Sequence, residues 1–267
     1  MRKNIGFIGC GNMGSALIGG MIAKGFSAAD ILVADADAKK TESAVAKFGI
    51  RAVADNRELV KNADAVVLAV KPQMIAGVAA ELSGSMKGKL VISIIAGKRI
   101  GYLAQALGDE ALAVVRVMPN TPALVGEGMA LISYAQTVGE SDRTFATSIF
   151  AAVGEVMEIH ESLMDAGTAI SGSGPAYLFA FVEAIMSAGE ENGFTAEQAK
   201  ILATQTFKGA IKMIQETGEH PSVLRKNVTS PNGTTEAALK AMEAHKISDG
   251  IRAMIAAAKQ RSEELSR

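Results

Sequence analysis

Three closely spaced glycines near the start of the chain have the spacing of a turn that holds phosphate. The segment reads Ile8-Gly9-Cys10-Gly11-Asn12-Met13-Gly14 and stands between an apolar run and an amphipathic one. There, Gly9 permits a tight turn, Gly11 lets the backbone approach a pyrophosphate, and Gly14 lets the next helix lie close to the sheet. The amino end of such a helix offers free N–H groups. The segment predicts a dinucleotide site, and a glycine turn without a ligand is the weaker alternative.

The next predicted strand ends in a carboxylate that bears on the choice of dinucleotide. Asp35 is placed to accept hydrogen bonds from an adenine ribose, which favours NADH and repels the 2′-phosphate of NADPH. Lys39 and Lys40 stand just beyond and could neutralise that phosphate, or be solvated residues in the first turn of a helix. The sequence leaves the choice between NADH and NADPH open.

Two more segments directly follow buried apolar runs, where open α/β folds place their ligands. The first is Val70-Lys71-Pro72, in which Lys71 could hydrogen-bond a cofactor ribose or merely cap a loop. The second is Ala96-Gly97, which we expect on the nicotinamide side. Both extend the predicted cofactor-binding residues along one edge of a sheet.

The first half of the chain alternates short apolar runs with amphipathic segments, as in a parallel sheet covered by helices on both faces. We therefore predict an α/β fold with an N-terminal Rossmann-type, doubly wound parallel sheet. The predicted strands are Ile5–Gly9, Ile31–Asp35, Ala65–Val70, Leu90–Ile95 and Ala113–Val117. The predicted helices between them are Met13–Lys24, Lys39–Phe48, Glu58–Asn62, Gln73–Leu82 and Ile100–Leu107.

The pattern changes after Met118. A strand at Met129–Ser133, a helix near Ser141–Ala152 and a strand at Glu155–Ile159 are predicted as the far edge of the same sheet. From Leu163 onward only helices are predicted, over Pro175–Asn192, Thr195–Glu216, Pro221–Asn227 and Thr235–Glu264. We expect a dinucleotide-binding domain over residues 1–160 and an all-helical domain over residues 161–267.

The helical half carries more apolar surface than about 100 residues of helix can bury alone. Two of its predicted helices have apolar residues on nearly every side. One carries Ala176, Phe179, Ala180, Val182, Ala184 and Ile185, and the other carries Ile251 and Met254–Ala258. We therefore expect a homodimer formed through the helical domain, which leaves open a higher oligomer of dimers.

Composition argues against several classes of function. The chain has 267 residues, 49% of them apolar, and a net charge of -1, so no broad field attracts nucleic acid or anionic lipid. No run approaches the roughly 18 uninterrupted apolar residues of a membrane span, so we expect no integral membrane protein. A single cysteine and three scattered histidines predict neither a disulfide nor a metal site, and they fit a reducing, cytoplasmic compartment.

Four islands of sequence stand out when the chain is taken as a whole. They are Phe7–Gly14; Ala69–Gln73; Arg116–Pro122; and a pair in the helical half, Ser171–Tyr177 with Val228–Thr235. Together they resemble the pyrroline-5-carboxylate reductases over essentially the whole length. The resemblance implies a Rossmann domain for NADPH or NADH, a helical domain that interlocks with a second subunit, and hydride transfer to the ring C=N of 1-pyrroline-5-carboxylate, giving L-proline.

The same resemblance assigns residues to the site. It places Asn56, Val70, Lys71 and Asn227 at the cofactor, and Glu161, Ser230, Gly233, Thr234 and Thr235 around the substrate. Taken alone, Glu161 is a solvent-exposed acid, the commonest fate of glutamate. Thr235 is the predicted catalytic residue, because its hydroxyl could hydrogen-bond the imine nitrogen while the cofactor carries the hydride chemistry.

The turn Ser230–Thr235 suits a small anionic substrate, because a loop leading into a helix presents backbone N–H groups to a carboxylate. The alternative is an ordinary helix cap formed by Thr234 or Thr235, which binds nothing. The family usually has two glycines where this chain has Asn232-Gly233. Because asparagine tolerates positive φ, we expect the loop shape to survive, while the fit to substrate stays open.

Two rival functions remain. One is a related two-domain NAD(P)-dependent dehydrogenase or imine reductase acting on β-hydroxy acids or secondary amines. The hydroxy-acid enzymes need a lysine or comparable acid–base group in the helical domain, and no motif marks one here. The other is a non-catalytic dinucleotide-sensing protein, which would have no use for the turn Ser230–Thr235.

Overall fold

The structure, a computed structural model that describes residues 3–266, is organised around one sheet. The strands are β1 Ile5–Ile8, β2 Ile31–Ala34, β3 Arg51–Ala52, β4 Ala65–Leu68, β5 Leu90–Ser93, β6 Ala113–Met118, β7 Gly128–Tyr134 and β8 Gly154–Glu158. These eight strands lie in the order β3-β2-β1-β4-β5-β6-β7-β8, and every neighbouring pair is parallel except β6 with β7.

Helices cover both faces of this sheet. They are α1 Asn12–Ala23, α2 Ala38–Phe48, α3 Asn56–Asn62, α4 Ile75–Leu82, α5 Ile100–Ala106, α6 Glu140–Ala151 and α7 Met164–Gly167. One buried cluster joins the sheet to α1, α2 and α6, and a second joins it to α3, α4 and α5. The doubly wound α/β fold is confirmed, and the carboxyl ends of its parallel strands meet at one edge.

The predicted strands are all present, most of them one or two residues shorter at the carboxyl end. Each of β1, β2, β4 and β5 is buried along its whole length, which explains why their sequences do not alternate with polar residues. The predicted far edge is also confirmed, with β7 turning antiparallel to β6. Sequence reasoning missed β3, because its two residues are exposed and carry no pattern.

The last third of the described chain contains helices and no strands. They are α8 Gly174–Glu191, α9 Ala196–Thr217, α10 Pro221–Asn227, α11 Thr234–Ala244 and α12 Ile247–Leu265. The prediction of a single helix over Thr235–Glu264 is wrong. Lys246 takes a positive φ of 53° and separates α11 from α12, and lysine is not a residue that signals such a break.

The chain divides into two compact units. The first unit comprises residues 3–173 and 258–266 of the described chain, and the second comprises residues 174–257. The division of domains after residue 160 stays a prediction from the sequence, while residues 161–173 and the end of α12 belong to the first of these compact units. Hydrogen bonds from Ser262 and Ser266 to Asp165 hold the end of α12 there. Residues 1, 2 and 267, the outer ends of the predicted domains, lie outside the described residues.

Helix α8 is apolar and has no fully buried residue within one chain. Phe179 is 60% exposed, and Ile185 is 47% exposed. The helical run Glu161–Glu191 is long and apolar enough to cross a membrane, although polar residues interrupt its apolar sequence. Length and composition do not distinguish a membrane span from an apolar helix covered by protein.

The pairing of β7 with β8 begins at two glycines that leave no room for a side chain. Gly154 has a φ of +152°, and a Cβ built there would overlap the backbone of Gly128. We expect Gly154→Ala to lower the free energy of unfolding by about 2–4 kcal/mol. Gly77→Ala is the matched control, because a Cβ in α4 meets nothing within 4 Å, and we expect it to stabilise by about 0.5–1 kcal/mol. Chemical denaturation of both variants at one protein concentration tests this, and equal effects would contradict it.

Candidate active site

The glycine turn after β1 has the geometry that the sequence predicts. Gly9 takes a φ of +98°, and a Cβ there would lie 2.7 Å from the carbonyl oxygen of Ala69. A Cβ on Gly14 would lie 2.9 Å from the carbonyl oxygen of Gly9. In contrast, a Cβ on Gly11 would meet nothing within 4 Å. Gly9 and Gly14 must therefore be glycines because neighbouring backbone leaves no room for a side chain, while Gly11 borders open space where a ligand can approach the backbone.

The amino end of α1 is free to bind an anion. Gly11 is its N-cap residue, no side chain caps it, and its first turn contains no acidic residue. The N–H groups of a first helical turn have no partners within the helix. Together with the open space at Gly11, these groups fit a dinucleotide pyrophosphate.

Asp35 forms a hydrogen bond with the backbone of the glycine turn. Its Oδ2 accepts a hydrogen bond from the backbone N–H of Cys10 at 2.7 Å, and its Oδ1 accepts one from Asp37 N–H at 2.9 Å. Lys40 Nζ lies 3.8 Å from the same Oδ1. The predicted ribose acceptor thus also holds the turn in place. Burial raises the pKa of the Cys10 thiol. The hydrogen bond with Ser15 opposes this rise, and the negative charge of Asp35 adds to it. Cys10 is therefore a neutral side chain that fills space beside the turn.

The other predicted cofactor residues follow the ends of neighbouring strands. Val70, Lys71 and Pro72 follow β4, and Lys71 is exposed at the start of a 3-10 turn, where its side chain caps nothing. Ala96 and Gly97 follow β5. Because β2, β1, β4 and β5 are adjacent and parallel, these residues share one edge of the sheet with Gly9–Gly14 and Asp35. Asn56, the first residue of α3, donates its amide to Glu81 Oε2 at 2.8 Å.

Glu161 is not a freely solvated acid. Its Oε1 accepts hydrogen bonds from Ile100 N–H at 2.8 Å and from Arg116 Nη1 at 3.2 Å. Arg116 was missed as a site residue, although a charged side chain within the apolar run Ala113–Val117 is a signal that sequence reasoning could have used. The structure therefore gives Glu161 a firm structural role within the first unit.

The remaining predicted residues, Asn227, Ser230, Gly233, Thr234 and Thr235, belong to the second unit. Asn227 ends α10, and the turn that follows leads into α11. Asn232 has a φ of 58°, so asparagine does support the left-handed conformation here. A Cβ on Gly233 would overlap the Ser230 hydroxyl oxygen, and Gly233 N–H donates to the Ser230 carbonyl at 3.1 Å. The turn is therefore tightly closed.

The alternative of a threonine cap is wrong. The N-cap residue of α11 is Gly233, and no side chain caps the helix. Within residues 3–266, the structure gives the Thr234 and Thr235 hydroxyls no hydrogen-bond partner, and Thr235 is half-buried. Their hydroxyls and the N–H groups of the first turn of α11 are available to a small molecule.

Two family models match the chain. One, described as pyrroline-5-carboxylate reductase dimerisation, matches residues 161–265, and the other, described as NADP oxidoreductase coenzyme F420-dependent, matches residues 4–97. A pyrroline-5-carboxylate reductase of Escherichia coli (strain K12) is 39% identical, with both chains covered completely. The chain belongs to the pyrroline-5-carboxylate reductase family.

Solved structures of pyrroline-5-carboxylate reductases agree with this assignment. One from Coxiella burnetii is 39% identical, has a TM-score of 0.94 and is covered completely, as is this chain. One from Plasmodium falciparum, with NADP bound, is 33% identical, has a TM-score of 0.90, and covers 100% of this chain and 99% of its own.

The family settles the class of the protein. As a member of the pyrroline-5-carboxylate reductase family, the chain is an oxidoreductase of proline biosynthesis that uses a nicotinamide dinucleotide. It is a soluble protein that acts on a small molecule and assembles with copies of itself. The exposed apolar face of α8 lies within the residues that match the dimerisation model.

Glu236 holds the turn before α11 closed. Its Oε1 pairs with Lys240 Nζ at 2.9 Å and its Oε2 accepts from Asn232 N–H at 2.6 Å. These two bonds, the Lys240 bond first, lower the pKa of Glu236. The support they give is present above the ordinary carboxyl pKa and is lost as pH falls through the lowered one.

We expect the amide resonance of Asn232 to titrate with a midpoint below that of an ordinary glutamate, measured by ¹⁵N chemical shift. The Glu236→Gln variant is the control, because its amide does not ionise in this range. The same midpoint in that variant would assign the titration to another group.

Proposed function

We infer that this protein reduces 1-pyrroline-5-carboxylate to L-proline with hydride from a nicotinamide dinucleotide. The observation that carries the inference is that each unit has a helix amino end that no side chain caps, in a chain of this family. The amino end of α1 beside Gly11 suits a pyrophosphate, and that of α11 suits a carboxylate with hydroxyls at hand. The residues proposed for each ligand remain those assigned by the sequence.

The first unit supplies the cofactor site in this proposal. Backbone N–H groups from Gly11 to Gly14 bind the pyrophosphate, Asp35 faces the adenine ribose, and the Val70–Pro72 and Ala96–Gly97 segments border the rest. A bound dinucleotide supplies the hydride that the imine carbon accepts. The chain itself contributes position and electrostatics, so a basic or nucleophilic side chain is not required.

The second unit supplies the substrate site. The N–H groups at the start of α11 bind the substrate carboxylate, with Ser230 and Thr234 beside it. The Thr235 hydroxyl donates a hydrogen bond to the ring nitrogen. As hydride reaches the adjacent carbon, the C=N π bond breaks and the nitrogen takes up one proton from solvent, which gives CH–NH. Glu161 and Asn227 complete the assignments carried over from the family, Glu161 on the substrate side and Asn227 on the cofactor side.

We propose that the copies associate as a homodimer through the second unit, in the cytoplasm. Exposed apolar residues of α8, including Phe179 and Ile185, need cover that one chain does not provide. A single free cysteine suits a reducing compartment.

The activity test follows nicotinamide absorbance with 1-pyrroline-5-carboxylate. We expect turnover with the wild-type protein, and Thr235→Ala should lower kcat by about a hundredfold while cofactor affinity stays nearly constant, because one donor to the reacting group is lost. Thr204→Ala is the matched control, since that hydroxyl bonds to its own helix at Lys200 O.

The outcomes separate the rival functions. Turnover only with β-hydroxy acids or secondary amines would favour a related dehydrogenase or imine reductase. Dinucleotide binding without turnover of any of these compounds would favour a sensor. A large loss of cofactor binding in Thr235→Ala would contradict the place given to that hydroxyl.

We further propose that both NADH and NADPH are accepted and that Asp35 sets their ratio. A cavity of about 240 Å³ beside the glycine turn is lined by Lys39, Lys40 and Lys47, among others. These cations favour a 2′-phosphate, whereas the carboxylate of Asp35, which its two backbone bonds fix in place, opposes it. The lysines and Asp35 thus have opposite effects on the affinity for a 2′-phosphate in the same cavity.

Asp35→Asn should raise the ratio of kcat/KM for NADPH to that for NADH by about tenfold, because the charge is lost while one oxygen remains to accept a backbone bond. Asp37→Asn is the matched control, with the same change of charge at the N-cap residue of α2. Equal shifts in both variants would show that net charge, and not the position of Asp35, decides the ratio.

A further inference from the structure

Arg116 is a charged residue in the middle of a buried strand. It lies between Val115 and Val117 in β6, and it is 4% exposed. Its Nη1 donates to Glu161 Oε1 at 3.2 Å, and its Nη2 lies 3.9 Å from Asp165 Oδ1. A buried guanidinium is costly unless carboxylates surround it. The positions of Glu161 and Asp165 are therefore fixed by β6.

Each of these carboxylates also holds another part of the first unit. Glu161 Oε1 accepts the N–H of Ile100, the first residue of α5, at 2.8 Å. Asp165 Oδ1 accepts the hydroxyls of Ser262 at 2.7 Å and Ser266 at 2.8 Å. Asp165 and Ser262 are 7% and 8% exposed, so the bond between them is shielded from water, while the Ser266 bond is partly buried. One arginine thus anchors the start of α5 and the end of α12.

The turn between β5 and α5 is held at both ends by these anchored parts. Gly97 has a φ of +73°, and a Cβ there would lie 2.7 Å from the carbonyl oxygen of Leu265 in the last turn of α12. At the other end, Ile100 is bound by Glu161. The turn 97–100 therefore rests against α12 at one end and against Glu161 at the other.

We propose that Arg116, Asp165, Ser262 and Ser266 are positioning residues that set dinucleotide affinity through the turn 97–100. The inference rests on the proposed function, in which Ala96 and Gly97 border the cofactor. When the two serine hydroxyls hold the last turn of α12 on Asp165, Leu265 fixes the backbone of Gly97. Releasing that helical turn lets the segment move, and the cofactor must then order it on binding.

The test uses the full-length variant Ser262→Ala with Ser266→Ala, titrated with NADH and NADPH by nicotinamide fluorescence. We expect both dissociation constants to rise by about threefold to tenfold. At saturating cofactor, kcat and the KM for 1-pyrroline-5-carboxylate should stay close to wild type. Ser148→Ala is the matched control, because it removes one hydroxyl bond, to Phe145 O, in α6.

A merely structural role for the serines would give a different result. It would lower the thermal midpoint and the active fraction, with unchanged dissociation constants for the folded fraction, and that outcome overturns the proposal. If the double variant does not fold, Ser266→Ala alone removes one of the two hydroxyls, and an unchanged dissociation constant there overturns it equally. A wild-type protein that binds neither dinucleotide would instead refute the proposed function.

Discussion

The site depends on how closely two backbones approach at the carboxyl edge of the sheet. Gly9, just past β1, lies against the carbonyl of Ala69, just past β4, with room for a hydrogen atom but not for a methyl group. This contact forces the chain to turn sharply, and α1 begins three residues later. Gly14 then returns to within contact of Gly9. A larger residue at either glycine would move the amino end of α1 away from the edge where Asp35 and Gly97 also lie.

At three of the loops that carry proposed ligand contacts, or adjoin them, a carboxylate accepts a backbone N–H group. Asp35 binds Cys10 N–H, Glu161 binds Ile100 N–H, and Glu236 binds Asn232 N–H, at 2.6–2.8 Å. Hydrogen bonds with an ionised acceptor are among the strong ones in proteins, so each loop is ordered before any ligand arrives. Asp35 and Glu161 therefore combine a structural task with the ligand contact proposed for them.

Much of this arrangement could be predicted from residue patterns, because apolar periodicity and glycine spacing are local properties. Every strand except β3, the glycine turn and the left-handed Asn232 follow from such signals. The partners of Glu161 could not be predicted, since Arg116 and Ile100 are brought to it only by the sheet and by α5. The break at Lys246 was missed because lysine has no local preference for it. The threonine cap failed because Gly233 occupies the cap position and leaves both hydroxyls free.

In the proposed homodimer, the exposed apolar face of α8 links folding to association. Phe179 and Ile185 are exposed within one chain, so in that dimer the chain gains part of its stabilisation only when the other copy covers them. By mass action, the equilibrium between folded and unfolded chains then shifts as the protein is diluted. A thermal midpoint for this protein must therefore be compared at a stated protein concentration. In the cell, the concentration of chains likewise affects the fraction that is folded.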